Sequence, residues 1–224
     1  MAAFIKSKNN LSIYRILLSL IVVEIAVFFL TQTYPRFGIV ERMQLSTSPS
    51  FNILNLISYM FVHNNPVHLF SNITMLLAGF FLFQRSRTAL FIPLFLLGGI
   101  AGGMGFAMSD IQNISLIGAS NGVCAILAAA TVFPGGRYSK RVIFRIIAGA
   151  LFLFALLGND KETPVLAGHL CGAASGLIAS FAFYFSHKKA RCIRHRQDEQ
   201  KRKVLQKLRN SGFASLDEEE KAML

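Results

Sequence analysis

Residues 165–185 read VLAGHLCGAASGLIASFAFYF, a run with no Asp, Glu, Lys or Arg that Lys188 and Lys189 close. As a helix rising about 1.5 Å per residue, it spans about 30 Å, the thickness of a bilayer's hydrocarbon core. Gly168, Gly172 and Gly176 recur every fourth residue, the small-residue ridge that lets membrane helices approach closely. A single histidine, His169, adjoins that ridge. The stretch therefore predicts a membrane-spanning helix packed tightly on one face, with one titratable group near its start.

Five further apolar segments extend the pattern. They run from about Ile13 to Leu30, Val67 to Phe83, Thr88 to Met108, Ser120 to Phe133 and Val142 to Leu157, and Pro134-Gly135-Gly136 ends the shortest. The chain is 53% hydrophobic and 15% charged, which excludes an ordinary soluble domain. A β-barrel needs alternating segments of about 10 residues, and none occur. The predicted fold is an all-α polytopic membrane bundle of six helices over residues 13–186. A cytoplasmic N-terminus (1–12) precedes it and a charged cytoplasmic tail (187–224) follows.

The net charge of +12 lies in short loops and one tail rather than on a folded basic face, so a nucleic-acid partner is not expected. With the N-terminus inside, the cytoplasmic side receives Lys6, Lys8, Arg15, Arg85, Arg87, Arg137, Lys140, Arg141, Arg145 and the Lys188-to-Arg209 tail. The outer side receives only Arg36, Arg42 and Lys161. Retention of positive charge inside predicts both termini in the cytoplasm and the lipid bilayer as a partner. The basic tail reads either as a helix against anionic headgroups or as a solvated tail. Cys124, Cys171 and Cys192 show no CxxC spacing and read as free thiols. The first segment resembles a signal peptide, but Thr31-Gln32-Thr33-Tyr34-Pro35 supplies no small-x-small cleavage site, so it is read as a retained span. Glu24 within it is expected to face the bundle, protonated or hydrogen-bonded.

This topology brings unusual polar groups to one depth. His68 and Asn72, then Ser120, then His169 all lie within one or two turns of the outer ends of three different helices. His68 and Asn72, four apart, share a helix face. Ser120 begins its helix, where unpaired N–H groups favour developing negative charge. If the ridge on the last span packs on Gly122, Ala125 and Ala129, Ser120 meets His169. These groups fit acyl transfer, with Ser120 the nucleophile and His169 the general base. His68, Asn72 and the Ser120 N–H are the oxyanion donors. Only Asp160 and Glu162 lie near His169 in sequence, and both fall in an outer loop, so a dyad without a buried acid is expected.

His63…His68…Asn72, Gly118-Ala119-Ser120 and Ala167-Gly168-His169-Leu170-Cys171-Gly172 together resemble the rhomboid family of intramembrane serine proteases, over about residues 10–187. The resemblance implies a bacterial-type six-helix core, multi-pass in an inner or cell membrane. Transmembrane protein substrates would be cut near the outer face by Ser120 and His169 without a cofactor or metal. It assigns His68 and Asn72 to oxyanion stabilisation and His63 to structural support; beside the serine Gly118 and Gly122 permit close backbone approach, and Gly172 belongs to the packing ridge. The chain departs from the family pattern in three places. Asn121 follows the serine where the family has glycine, so it would crowd the oxyanion hole or add a donor to it. Cys124 stands where an aromatic often supports the histidine, and no Trp-Arg pair occurs in the first outer loop.

The alternative is a catalytically silent rhomboid-like protein binding transmembrane clients, which loss of Ser120 or His169 would favour; both are present. A polar-solute channel lined by His68, Asn72 and His169 is a third reading. A metalloprotease is disfavoured because no HExxH occurs. The loop Tyr34–Asn55 and Asp110–Asn113 are expected to admit water, and the apolar fifth span to act as a lateral gate for substrate.

Overall fold

The computed structural model describes residues 2–47, 51–83, 89–109, 114–133, 141–157 and 163–222. Among them, helices dominate: α1 (Ala2–Thr33), α2 (Ile39–Met43), α3 (Asn55–Ser58), α4 (Pro66–Leu82), α5 (Phe91–Ala107), α6 (Ser120–Val132), α7 (Arg141–Leu157), α8 (Thr163–Ser211) and α9 (Glu218–Ala222). Two two-residue strands, β1 (Leu45–Ser46) and β2 (Ser115–Leu116), pair antiparallel, Leu45 opposite Leu116.

All six apolar segments fall in helices, but at both ends of the chain the helices outrun the expected spans. α1 begins at Ala2 rather than near Ile13, and α8 runs through the basic stretch to Ser211. Neither boundary carries a breaker: no Pro or Gly occurs before Leu30 or between Phe185 and Ser211, and Lys and Arg are good helix formers. By length and composition, Tyr14–Thr33 and Pro164–Ser211 are long and apolar enough to cross a membrane. The pair Asn55–Phe61 and Pro66–Leu82, bent by 100°, is a third if taken as one span. Phe91–Ala107 and Ser120–Val132 are apolar but shorter. The 13 residues of α6 reach only about 20 Å.

Residues 1–180 form one compact unit. At its centre lies α6, with Asn121 to Ala130 all buried. Lipid offers apolar helices no solvent to escape from, so close backbone approach at small residues must do the packing. Gly79 of α4 lies over Ile126, Gly98 of α5 over Ala125, and Gly176 of α8 over the Ala125 backbone. The ridge on α8 thus meets α6, at Ala125 as expected but at Asn121 rather than Gly122. Gly172 faces the Asn121 carbonyl and Gly168 the Asn121 side chain, while Gly122 turns to Phe95 of α5. At the end of α6 remote from Ser120, edge-on aromatic contacts link neighbouring helices. Tyr14 meets Phe80 and Phe80 meets Phe91, each at 5.3 Å, and Phe83 meets Phe133 at 6.2 Å. Such pairs contribute about 0.5–1.5 kcal/mol each beyond burial.

Glu24 is fully buried, as expected for an acid turned away from lipid, and neither carboxylate oxygen has a hydrogen-bond partner among the described residues. The segment Tyr34–Asn55, expected to be an open polar loop, carries α2 and β1, and Leu45 within it is buried. Beyond it Leu56, Tyr59 and Met60 are buried, and the Met60 thioether lies against Gly99 of α5.

Residues 181–224 form the second unit. α8 ends at Ser211, and Gly212 follows at φ +77°, a backbone setting that favours glycine. Asp217 and Glu220 then cap α9 reciprocally: the Glu220 N–H donates to Asp217 Oδ1 at 2.7 Å, and the Asp217 N–H to Glu220 Oε2 at 3.0 Å. Lys207 also reaches Glu220 Oε2 at 2.7 Å. These two donors, the ammonium foremost, hold the half-buried Glu220 carboxyl below the usual range. Val204 and Leu216 are buried in this unit. The tail is therefore a helix closed by a small capped turn.

Candidate active site

α4 starts where Asn65 and Pro66 make it start. The Asn65 side chain accepts the His68 N–H at 2.8 Å, and Pro66 at the first helical position has no N–H to leave unsatisfied. That start sets the direction of the next turn. The His68 ring Nδ1 pairs with Asn64 Oδ1 at 3.1 Å, and Oδ1 also accepts from Asn65 Nδ2 at 3.0 Å. An amide oxygen can only accept, so Nδ1 carries the proton of the neutral ring. His63 is buried and meets His68 edge-on at 5.0 Å. One turn further on, Asn72 is buried and its Nδ2 donates to the His68 carbonyl at 2.9 Å.

The chain enters α6 along a held path. β2 is paired to β1, and the Gly118 N–H then donates to the Tyr59 carbonyl at 2.9 Å. Gly118 sits at φ +103°, and a Cβ there would stand 2.6 Å from His68 Nε2 and 3.7 Å from Asn72 Nδ2. Glycine is needed here on both counts. The same contact shows that His68 and Asn72 flank the backbone two residues before Ser120. Ser120 is the first residue of α6, and no side chain caps that end. The N–H groups of its first turn therefore lack helical partners and point outward along the axis.

α8 brings the last group. His169 is buried at 4% exposure, and its Nε2 lies 2.9 Å from Ser120 Oγ. Two residues 49 positions apart thus meet at hydrogen-bond distance, within the range of a nucleophile and its base. For Nε2 to accept the serine proton, the ring must hold its own proton on Nδ1. Asp160 and Glu162 lie outside the described residues, as do Asp110 to Asn113.

A family model for the rhomboid domain matches residues 50–186. The chain belongs to the rhomboid family. No curated protein matches it. The matched stretch of this rhomboid chain contains His63, His68, Asn72, Ser120 and His169, and its apolar helices make it an integral membrane protein.

Two departures from the family pattern have structural answers. Asn121 neither crowds the serine nor adds an oxyanion donor. Its side chain points into the core and donates from Nδ2 to the Tyr59 hydroxyl at 2.9 Å. Cys124 packs with Ala128, Ala173 and Leu177, so it contributes to the α6–α8 contact without a ring. The residues missed from sequence are Tyr59, Asn64 and Asn65. Asn65-Pro66 ahead of an apolar run is a legible helix start. Tyr59, one aromatic in the largely apolar run 56–62, gives no such signal.

Proposed function

We propose that this rhomboid protein is an intramembrane serine endopeptidase that cleaves transmembrane segments of other membrane proteins near the outer face. The 2.9 Å approach of His169 Nε2 to Ser120 Oγ carries the reading. His169 takes the hydroxyl proton as Ser120 Oγ attacks the scissile carbonyl. The same imidazolium then protonates the leaving amine, and water hydrolyses the acyl-enzyme. The Ser120 N–H and the Asn72 amide receive the oxyanion. His68 joins them from Nε2 only as the imidazolium, because Asn64 holds its Nδ1 proton. The six apolar segments support six spans, and the excess of basic residues in the loops and tail supports both termini being cytoplasmic. The lateral entrance falls to α7, whose Val142, Ile143, Ile146 and Leu153 are exposed and apolar.

The test is cleavage of a single-span model protein in liposomes. Wild type is expected to cut it and to react with a fluorophosphonate, and Ser120→Ala to do neither. Equal cutting by both would end the proposal. A graded result is expected from the oxyanion side. Asn72→Ala lowers kcat by about 10²–10³. His68→Ala lowers it less. Equal losses would show that His68 donates as the neutral ring.

A further inference from the structure

The geometry points to Tyr59 and Asn121 as a positioning pair that holds the nucleophile against its base; this rests on the protease reading above. Tyr59 is fully buried in the 3-10 turn before α4. Its carbonyl accepts the Gly118 N–H at 2.9 Å, while its hydroxyl accepts from Asn121 Nδ2 at 2.9 Å and donates to the Gly99 carbonyl at 2.7 Å. One residue therefore grips the chain on both sides of Ser120 and ties both grips to α5.

Asn121 adds the lateral dimension. Its side chain fills a notch between two helices that both offer glycine. A Cβ on Gly102 of α5 would stand 2.5 Å from Asn121 Cβ, and one on Gly168 of α8 3.1 Å from Nδ2. Gly168 is the neighbour of His169. The Asn121 side chain is thus the spacer between the start of α6 and the turn of α8 that carries the base. A glycine after the serine, as in the family pattern, has no side chain to serve this purpose. The hydroxyl of Tyr59 stops the spacer from turning. Neither residue touches the reacting atoms; the pair acts by fixing where Ser120 Oγ and Gly118 stand.

Reaction rates depend steeply on such placement. Wild type, Tyr59→Phe, Asn121→Ala and the double variant are compared in liposomes by kcat, KM, fluorophosphonate inactivation rate and thermal midpoint. Each single change is expected to lower kcat and the inactivation rate at least about tenfold, with KM held within about twofold. The double variant is expected to be no slower than the slower single, because both changes release one constraint. Lower midpoints with wild-type kcat and inactivation rate would leave the pair a merely structural role and overturn the proposal. Losses that multiply in the double variant would overturn the pairing. Tyr59→Phe keeps the ring, so it decides alone should Asn121→Ala not purify folded. A wild type that neither cuts nor reacts removes the protease reading and this proposal with it. Active wild type beside equally active variants removes only this proposal.

Discussion

His169→Ala is expected to lower kcat by about 10²–10⁴, the usual contribution of a general base. The more telling outcome is the combination with Ser120→Ala. The serine hydroxyl is a poor nucleophile until Nε2, 2.9 Å away, removes its proton, so the two groups act as one device. The double variant should be no more inactive than Ser120→Ala alone, because removing half of a device removes its effect. Measured rates that multiply would mean that His169 serves some other step. Fluorophosphonate labelling supplies a second readout, since it reports the attack without the later hydrolysis. His169→Ala should suppress labelling as well as turnover.

The second large effect concerns packing. Gly172→Ala would place a Cβ 2.5 Å from the Asn121 carbonyl and 3.1 Å from the Gly98 carbonyl. Both are backbone atoms of well-packed helices and cannot swing aside, so α8 must move off α6 and α5. Overpacking of this kind costs about 1–3 kcal/mol, visible as a lower thermal midpoint in detergent. Because His169 lies one turn before Gly172, the shift also stretches the contact with Ser120. A misplacement near 1 Å can cost about a hundredfold in rate. Gly149→Ala is the control: among the described residues nothing lies within 4 Å of a Cβ there, so alanine should be neutral or stabilising by up to about 1 kcal/mol through helix propensity. If both alanines behave alike, close approach at Gly172 is not what holds these helices together.

The groups meeting at Ser120 were legible in sequence because each breaks the pattern around it. In charge-free runs, His68, Asn72, Ser120 and His169 stand out, and the basic loops supply a common depth for them. The glycine ridge was legible for the same reason, as a fixed spacing of small residues. Its partners were not, since a repeat on α8 does not say which face of α6 it meets. Asn121 shows the difference. Read as a neighbour of Ser120, it belongs to the oxyanion hole, but helical residues one apart point about 100° apart. That turn sends its amide to Tyr59. The full extent of α1 and α8 was not legible for another reason: loss of hydrophobicity ends a span, not a helix. Only a breaker such as Gly212 does that.

The shortness of α6 has a consequence for the surrounding lipid. A helix of about 20 Å cannot match a hydrocarbon layer of about 30 Å, and the serine stands at its very end. The distance from headgroup to nucleophile is therefore set jointly by protein and bilayer. Thin membranes bring the serine toward the surface, while thick ones sink it beneath acyl chains unless the lipid dimples around it. Such adjustment costs fractions of a kcal/mol per ångström of mismatch. Under the proposed protease activity, acyl-chain length then becomes a control on which peptide bond of a passing helix arrives level with the serine.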